Sequence, residues 1–229
     1  MYNNLPKWLA KDKQDGTLKL FLDGSYSWTT AYDVSWQGNN WTLTNTPVFT
    51  RKMWWKWWTY TSWSSQYITF WNIFPNWTWD WSHCCWVKRN TDWTQNRIMS
   101  KQPASWVWFI FSMRGDNSIW YWFTDSWSNT NMFQTSTNVI TADWKWHFVC
   151  WTKTWQSVKV YIDWTLCSWT LVSTSNYNAD AWTEPFYIWR YAQWEYANSS
   201  IINPMVFSRA LTQTEINELM YSQGEIAFT

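Results

Sequence analysis

Glycine is nearly missing from this chain: there are 5 in 229 residues, where ordinary usage of about 7% would supply roughly 16. Few positions can therefore enter the left-handed backbone region cheaply, although tight antiparallel turns demand it. Histidine is represented only by His83 and His147. Each lies in a strand beside an expected core tryptophan, where a packed, hydrogen-bonded imidazole is the ordinary outcome. Glutamate occurs only at 184, 195, 215, 218 and 225, and no E-x-D-x-x-E array is present. That speaks against the paired carboxylates of a glucanase. There is no G-x-S-x-G, P-loop, H-E-x-x-H or dinucleotide fingerprint. The net charge is +1 without a basic stripe, so nucleic acid is not an expected partner. No apolar run reaches 18 residues, which excludes a helical membrane span. The opening MYNNLPKWLAKDKQDG lacks an apolar export core. The four cysteines, Cys84, Cys85, Cys150 and Cys167, form no C-x-x-C and no metal spacing. Buried free thiols are the reading, with a disulfide the alternative.

What the chain has in excess is tryptophan, 29 residues. Many stand where a turn wants glycine. Asp163-Trp164 closes a strand, Thr154-Trp155 occupies a hairpin tip, and Asn76-Trp77-Thr78-Trp79-Asp80-Trp81 reads as a loop with an indole at every second position. Positions 36, 41, 144, 151, 155, 164, 169 and 189 read naturally as glycine. So do the four tryptophans of the run Trp54 to Trp58. A UGA codon is read as tryptophan in one variant genetic code and as glycine in another. A gene of the second kind translated by the first table would carry this excess and this deficit together. The competing reading is a truly tryptophan-rich sugar binder with many aromatic platforms.

Short alternating runs separated by turn signals dominate the chain and predict an all-β sandwich. Around them, Asp143 to Thr170 reads as an antiparallel meander: Trp146, Phe148 and Cys150 on one face, then Val158, Val160 and Ile162, then a run from Thr165 to Val172. Further strands are expected at Thr17–Leu22, Ser82–Lys88, Ser105–Met113, Ser118–Phe123, Thr135–Thr141 and Ile201–Phe207, the last with an edge or bulge at Pro204. Thr212 with Glu215 is a capping box ahead of a helical face of Ile216, Leu219 and Met220, the only helix expected. Residues 1–16 read as a polar leader and 17–229 as the domain.

With glycine written at the turn positions, D-x-K-W-H, V-x-V-Y-I-D-x and the Y-D-V-S-x-Q-G-N-N-x-T-L stretch resemble laminin-G-like, concanavalin-A-like jelly rolls. The ordered landmarks are Asp33 with Ser35, Trp86 in W-V-K, Trp146-His147, Tyr161 with Asp163, Tyr187-Ile188 with Arg190, and Arg209 with Glu215 in R-A-L-x-x-x-E-I. The resemblance covers about residues 17 to 222. It implies a two-sheet antiparallel jelly roll with a short C-terminal helix, in which Trp86 and Trp146 are core residues. It also implies a non-catalytic module that binds a glycan or a protein surface through loops at one rim. A structural or decoration protein of a phage or other particle is the alternative, and a glycoside hydrolase ranks below both. The setting implied is extracellular or particle-associated. Calcium is the family's usual cofactor, held partly by an acid in the last strand. Here that run is Ser199 to Pro204 and its nearest donor is the amide of Asn203, so the calcium expectation is weakened.

Overall fold

A computed structural model describes residues 6–27, 29–45, 49–52, 55–58, 67–70, 80–92, 95–101, 109–124, 130–154, 157–173, 186–188, 190–191, 195–196 and 199–224. In chain order the elements are α1 (Lys7–Asp15), β1 (Leu18–Ser27), β2 (Thr30–Asp33), β3 (Trp41–Thr44), β4 (Phe49–Lys52), β5 (Trp55–Trp58), β6 (Tyr67–Phe70), β7 (Trp81–Arg89), β8 (Asn96–Lys101), β9 (Phe109–Met113) and β10 (Ile119–Thr124). They continue as β11 (Thr130–Thr135), β12 (His147–Thr154), β13 (Ser157–Ile162), β14 (Thr165–Cys167), β15 (Trp169–Ser173), β16 (Phe186–Ile188), β17 (Arg190–Tyr191), β18 (Glu195–Tyr196), β19 (Ser199–Phe207) and α2 (Gln213–Gly224).

All the described pairings are antiparallel. One sheet runs β14–β13–β12–β7–β19, with β1 and β5 both alongside β19 and β4 beyond β5. The other runs β1–β2–β3–β6–β16–β8–β9–β10–β11–β15. Strand β1 belongs to both: Leu18 to Phe21 pair with β19 and Leu22 to Ser27 with β2. The sheets are thereby joined along one side into a near-barrel sandwich, with one fewer open edge to protect.

Two apolar layers follow. Between the sheets lie Leu20, Leu22, Trp41, Ile98, Phe111, Tyr121, Phe133, Val149, Trp151, Val160 and Phe186. On the other face of the β7–β12–β19 sheet, Trp86, Phe148, Cys150, Tyr161 and Phe207 meet Leu9 of α1 and Ile216, Leu219 and Met220 of α2. Strand β12 is thus buried on both faces, which is why His147 to Trp151 reads as a nearly unbroken apolar run. Strand β13 keeps the alternation, with Val158, Val160 and Ile162 buried and Ser157 and Lys159 exposed.

The all-β expectation holds, as does the C-terminal helix. Its capping box is formed: Thr212 N donates to Glu215 Oε2 at 2.8 Å and Glu215 N to Thr212 Oγ1 at 3.3 Å. Several local expectations are corrected. A second helix, α1, forms inside the stretch read as leader. Leu9 packs in the helix-side layer, and Gly16 at φ 76° caps the helix in the left-handed region. The run Thr165–Val172 breaks at Ser168: β14 completes the meander, whereas β15 crosses to pair with β11. The strand expected at Thr135–Thr141 lies earlier, at Thr130–Thr135, and turns follow it. The Pro204 bulge is present, with a register shift between Ile202 and Met205 and Asn203 at φ 49°, but β19 is a central strand, not an edge. Cys84 and Cys150 are not free thiols. They are direct partners on β7 and β12, point into the same layer, and form a disulfide. Cys85 and Cys167 are free, and burial raises both thiol pKa values.

The tryptophans divide by backbone geometry. Trp36 and Trp144 take φ values of 71° and 65°, the left-handed region expected of glycine. At the Asp163-Trp164 turn the left-handed residue is Asp163, at φ 51°, so Trp164 does not need glycine's freedom. Trp41, Trp81 and Trp151 are buried residues of extended strands, which overturns the glycine expectation at 41 and 151 and the loop expectation at 81. The glycine expectations at 55, 57, 58 and 169 fall on strands β5 and β15, not on a loop or turn, and those at 54, 77, 79, 155 and 189 lie outside the described residues.

Candidate functional site

At the end of the sandwich where β7 finishes and β12 begins, four connections meet. They are the β7–β8 loop, the β9–β10 turn at Arg114–Ser118, the β11–β12 connection from Ser136 to Trp146, and the β13–β14 turn at Asp163-Trp164. Backbone groups tie them together. Asn138 N donates to Asp116 O, and Val139 N and Ile140 N both donate to Asn117 O, at 3.1 to 3.2 Å. Ala142 N donates to Asp92 Oδ1 at 2.8 Å. Asn117 accepts this geometry because asparagine tolerates its φ of 61°.

The side chains beneath fix the turns. Asp116 Oδ1 accepts from Ser118 N and Oγ, and Oδ2 accepts from Gln134 Nε2 at 3.2 Å. Partial burial works against the Asp116 charge, but the Ser118 hydrogen bonds and nearby Arg114 outweigh it and hold the carboxyl below its ordinary value. Arg89 has a fully buried side chain, donates from Nε to Thr91 O at 2.8 Å, and lies 3.7 Å from Asp92. Burial lowers its pKa, with Asp92 and Asp116 opposing. The rim therefore rests on a buried cation flanked by acids from two loops.

His147 opens β12 on this rim. Its Nδ1 is 3.1 Å from Asp163 Oδ2 and its Nε2 is 3.6 Å from Asp143 Oδ1. Asp163 is held in turn by Phe148 N, which donates to Oδ1 at 3.0 Å, while Asp163 N donates to Phe148 O. The Asp163 hydrogen bond raises the His147 pKa, burial opposes it, and the charges of Asp163 and Asp143 add to the rise. Asp143 Oδ1 accepts from Lys145 N at 3.0 Å, an Asx turn that bridges Trp144. That closure sets Trp144 left-handed and leaves its ring 68% exposed. Lys88 lies over the Trp146 ring at 5.3 Å.

The sequence-derived landmarks fall into three groups. His147 and Asp163 come together on the rim. Trp86, Trp146 and Tyr161 share the helix-side layer, with Trp86 edge-on to Phe148 at 5.4 Å. Arg209 and Glu215 form a bidentate pair at 2.7 and 3.0 Å, and Arg209 also holds Asp12 of α1 at 2.6 Å. Trp8 Nε1 donates to Glu218 at 2.7 Å, so the two helices are tied directly. Asp33 is a loop organiser: its carboxylate collects Phe21 N, Ser35 N, Ser35 Oγ and Asn39 N. His83 is interior, with Nδ1 3.3 Å from Tyr121 Oη, and burial pulls its pKa down to about 3. Sequence reasoning singled out neither Asp143 nor Arg89 as a site residue; Asp92 and Asp116 stand in stretches, Asp92-Trp93 and Arg114-Gly115-Asp116-Asn117, whose composition marks turns but not a shared site. Asx turns, in which the carboxylate accepts from the amide two residues on, are what Asp116 and Asp143 form. Nothing marks Arg89.

Asn203 turns its amide to Gln223 of α2, at 3.5 Å, and among the described residues no group of three or more His, Cys, Asp or Glu is placed to hold a metal ion. No helix among the described residues is long and apolar enough to cross a membrane.

No protein-family model matches the chain, and no curated protein sequence does. Solved structures do share its fold. The binding domain of Paraclostridial Mosquitocidal Protein 1 superposes with a TM-score of 0.70 at 11% identity, covering 92% of this chain and 52% of that one. The botulinum neurotoxin serotype G binding domain gives 0.68 at 15% identity, with 90% and 51% covered. The serotype D ligand-binding domain in complex with N-acetylneuraminic acid gives 0.65 at 15% identity, with 95% and 53% covered. The chain spans about half the length of these structures. At such identities the likeness is one of fold, a β-rich sandwich shared with parts of toxin binding domains.

Proposed function

We propose that the chain is a non-catalytic binding module of the laminin-G-like, concanavalin-A-like kind, recognising a glycan or a protein surface through the rim formed by Asp92, Arg114–Ser118, Asn138–Trp146 and Asp163-Trp164. The observation that carries the reading is the division of surfaces. Helices α1 and α2 cover the outer face of the β7–β12–β19 sheet, while connections from both sheets gather on the rim over a rigid hydrogen-bonded base. The fold neighbours, each described as a binding domain, support a binding role, and the N-acetylneuraminic acid complex makes acidic glycans the first to probe. A glycosidase needs two carboxyls roughly 5–10 Å apart with space for sugar between them; His147 fills the gap between Asp143 and Asp163. The Cys84–Cys150 disulfide suits an oxidising, extracellular setting. A glycan array followed by binding titration tests the reading. Combining Asn138→Ala with Lys145→Ala on the rim should weaken binding, and Thr154→Ala at the opposite end of β12 should not. Equal affinities for the two variants and the parent would overturn it. The alternative, a particle decoration protein, is favoured by co-purification with an assembled particle.

We also infer that part of the tryptophan excess reflects UGA codons read as glycine in the source. The left-handed geometry at Trp36 and Trp144 supports this, and the buried strand positions of Trp41, Trp81 and Trp151 mark indoles to which it need not extend. The gene decides. UGA at 36 and 144 with UGG at 86 and 146 is the expected pattern, and UGG throughout excludes it.

A further inference from the structure

We propose that the β11–β12 rim loop is gated by pH: protonated His147, lying between Asp143 and Asp163, latches the loop to the β13–β14 turn, and loss of the proton releases residues 142–146. Each ring nitrogen of His147 faces its own carboxylate, at 3.1 and 3.6 Å. A neutral imidazole has a single N–H and serves one of them. With Nδ1–H kept toward Asp163, the Nε2 lone pair is left facing the anionic Asp143 from a buried position without a hydrogen bond. Only the imidazolium completes the array.

The two acids differ in freedom. Asp163 is pinned by reciprocal bonds with the Phe148 backbone. Asp143 is exposed, belongs to the loop, and is held besides by Lys145 N and, at 3.8 Å, by Lys145 Nζ. Residue 144, in its left-handed conformation, pushes against closure whenever its side chain carries a Cβ. Asp143 is therefore the member that leaves. The other groups near the latch are Lys88 of β7, over Trp146, the half-buried Cys167 thiol beside Asp163, and Asp92, which holds Ala142 N. Of these charges, Asp163 and Asp143 are the ones that favour the imidazolium.

The direction follows from the raised His147 pKa. The latch is complete below the ordinary histidine value of about 6.5 and is lost as pH climbs through the raised one. If the rim is the binding surface proposed above, binding would be strongest on the acidic side, but the test needs no ligand. Amide hydrogen exchange of residues 142–146, corrected for the intrinsic effect of pH, should be several-fold slower at pH 5.5 than at pH 8.5. His147→Gln should remove that difference. Asp143→Asn, on an exposed side chain that should not disturb folding, should shrink it and lower the His147 pKa read by NMR. Exchange in the parent that does not change with pH would overturn the latch, as would a pH step that survives in Asp143→Asn with the His147 titration unmoved.

Discussion

Replacing Trp144 by glycine should make the protein more stable, although it deletes the largest side chain there is. Its φ of 65° costs a residue with a Cβ roughly 1–2 kcal/mol. Glycine removes that cost and returns about 0.4–1 kcal/mol to the unfolded chain as backbone entropy. The ring is 68% exposed, so little buried area is lost. The expected gain is about 0.5–1 kcal/mol. Trp36→Gly should gain less. Its φ of 71° carries the same strain and its ring is 70% exposed, but Lys13 sits 5.0 Å over the ring, a contact worth about 0.5–1 kcal/mol at an exposed site. Trp151→Gly is the control of opposite sign. That ring is fully buried, 4.8 Å from Tyr121 and 6.4 Å from Phe111, in an extended strand. Removing it should cost at least about 3–5 kcal/mol for the cavity, with roughly 0.5–1 more for glycine in a strand. Urea unfolding reads all three as midpoint shifts at constant slope. A lowered midpoint for Trp144→Gly, or an unchanged one for Trp151→Gly, refutes the division of tryptophans by backbone geometry.

Arg209→Ala should cost about 2–4 kcal/mol in urea, because it strands the largely buried Asp12 carboxylate and unties α1 from α2. Glu215 is opposed by burial, but its bonds to Arg209 and Thr212 hold its pKa down, so its stabilisation should be present above the ordinary carboxylate range and fade as pH falls through the lowered value; Glu215→Gln should flatten the acid limb of the stability curve. Thr212→Ala should cost about 1 kcal/mol by removing the N-cap of α2, measured as a thermal midpoint. His83, held neutral by burial down to about pH 3, lets the unfolded state take up a proton that the folded state refuses. Stability should therefore fall as pH drops from about 6.5 toward 3, by up to about 1.4 kcal/mol per unit, and His83→Phe should remove that slope.

The parts legible in the sequence were those set by local chemistry. The capping box fixed the start of α2 because Thr212 and Glu215 satisfy each other within four residues. The alternation of Val158, Val160 and Ile162 placed β13 because Ser157 and Lys159, on its other face, remain in water. What failed depended on distant neighbours. α1 is too polar to declare itself: it is held by Arg209 and Glu218, some 200 residues away in sequence. The Cys84–Cys150 pairing follows only from the β7–β12 register. The central place of β19 depends on both β1 and β7. At the rim, His147 and Asp163 were readable as a strand start and a turn, but their meeting is a consequence of the β12–β13 hairpin, in which Val149 stands opposite Ile162.

The same distinction explains why the turns were misread in detail while their existence was read correctly. A tight hairpin signal says that some residue carries a positive φ, not which one. At 143–145 the Asp143 carboxylate reaches over one residue to Lys145 N, and the burden falls on Trp144. At 163–164 the Asp163 carboxylate reaches the Phe148 amide instead, which leaves the strand direction intact and shifts the left-handed conformation onto Asp163 itself. Aspartate bears that conformation more easily than tryptophan because its short side chain can hydrogen-bond locally. Two Asp-Trp pairs identical in sequence thus differ in strain because their carboxylates accept from different backbone amides, that of Lys145 at 143 and that of Phe148 at 163. Both aspartates also face His147, Asp143 at Nε2 and Asp163 at Nδ1.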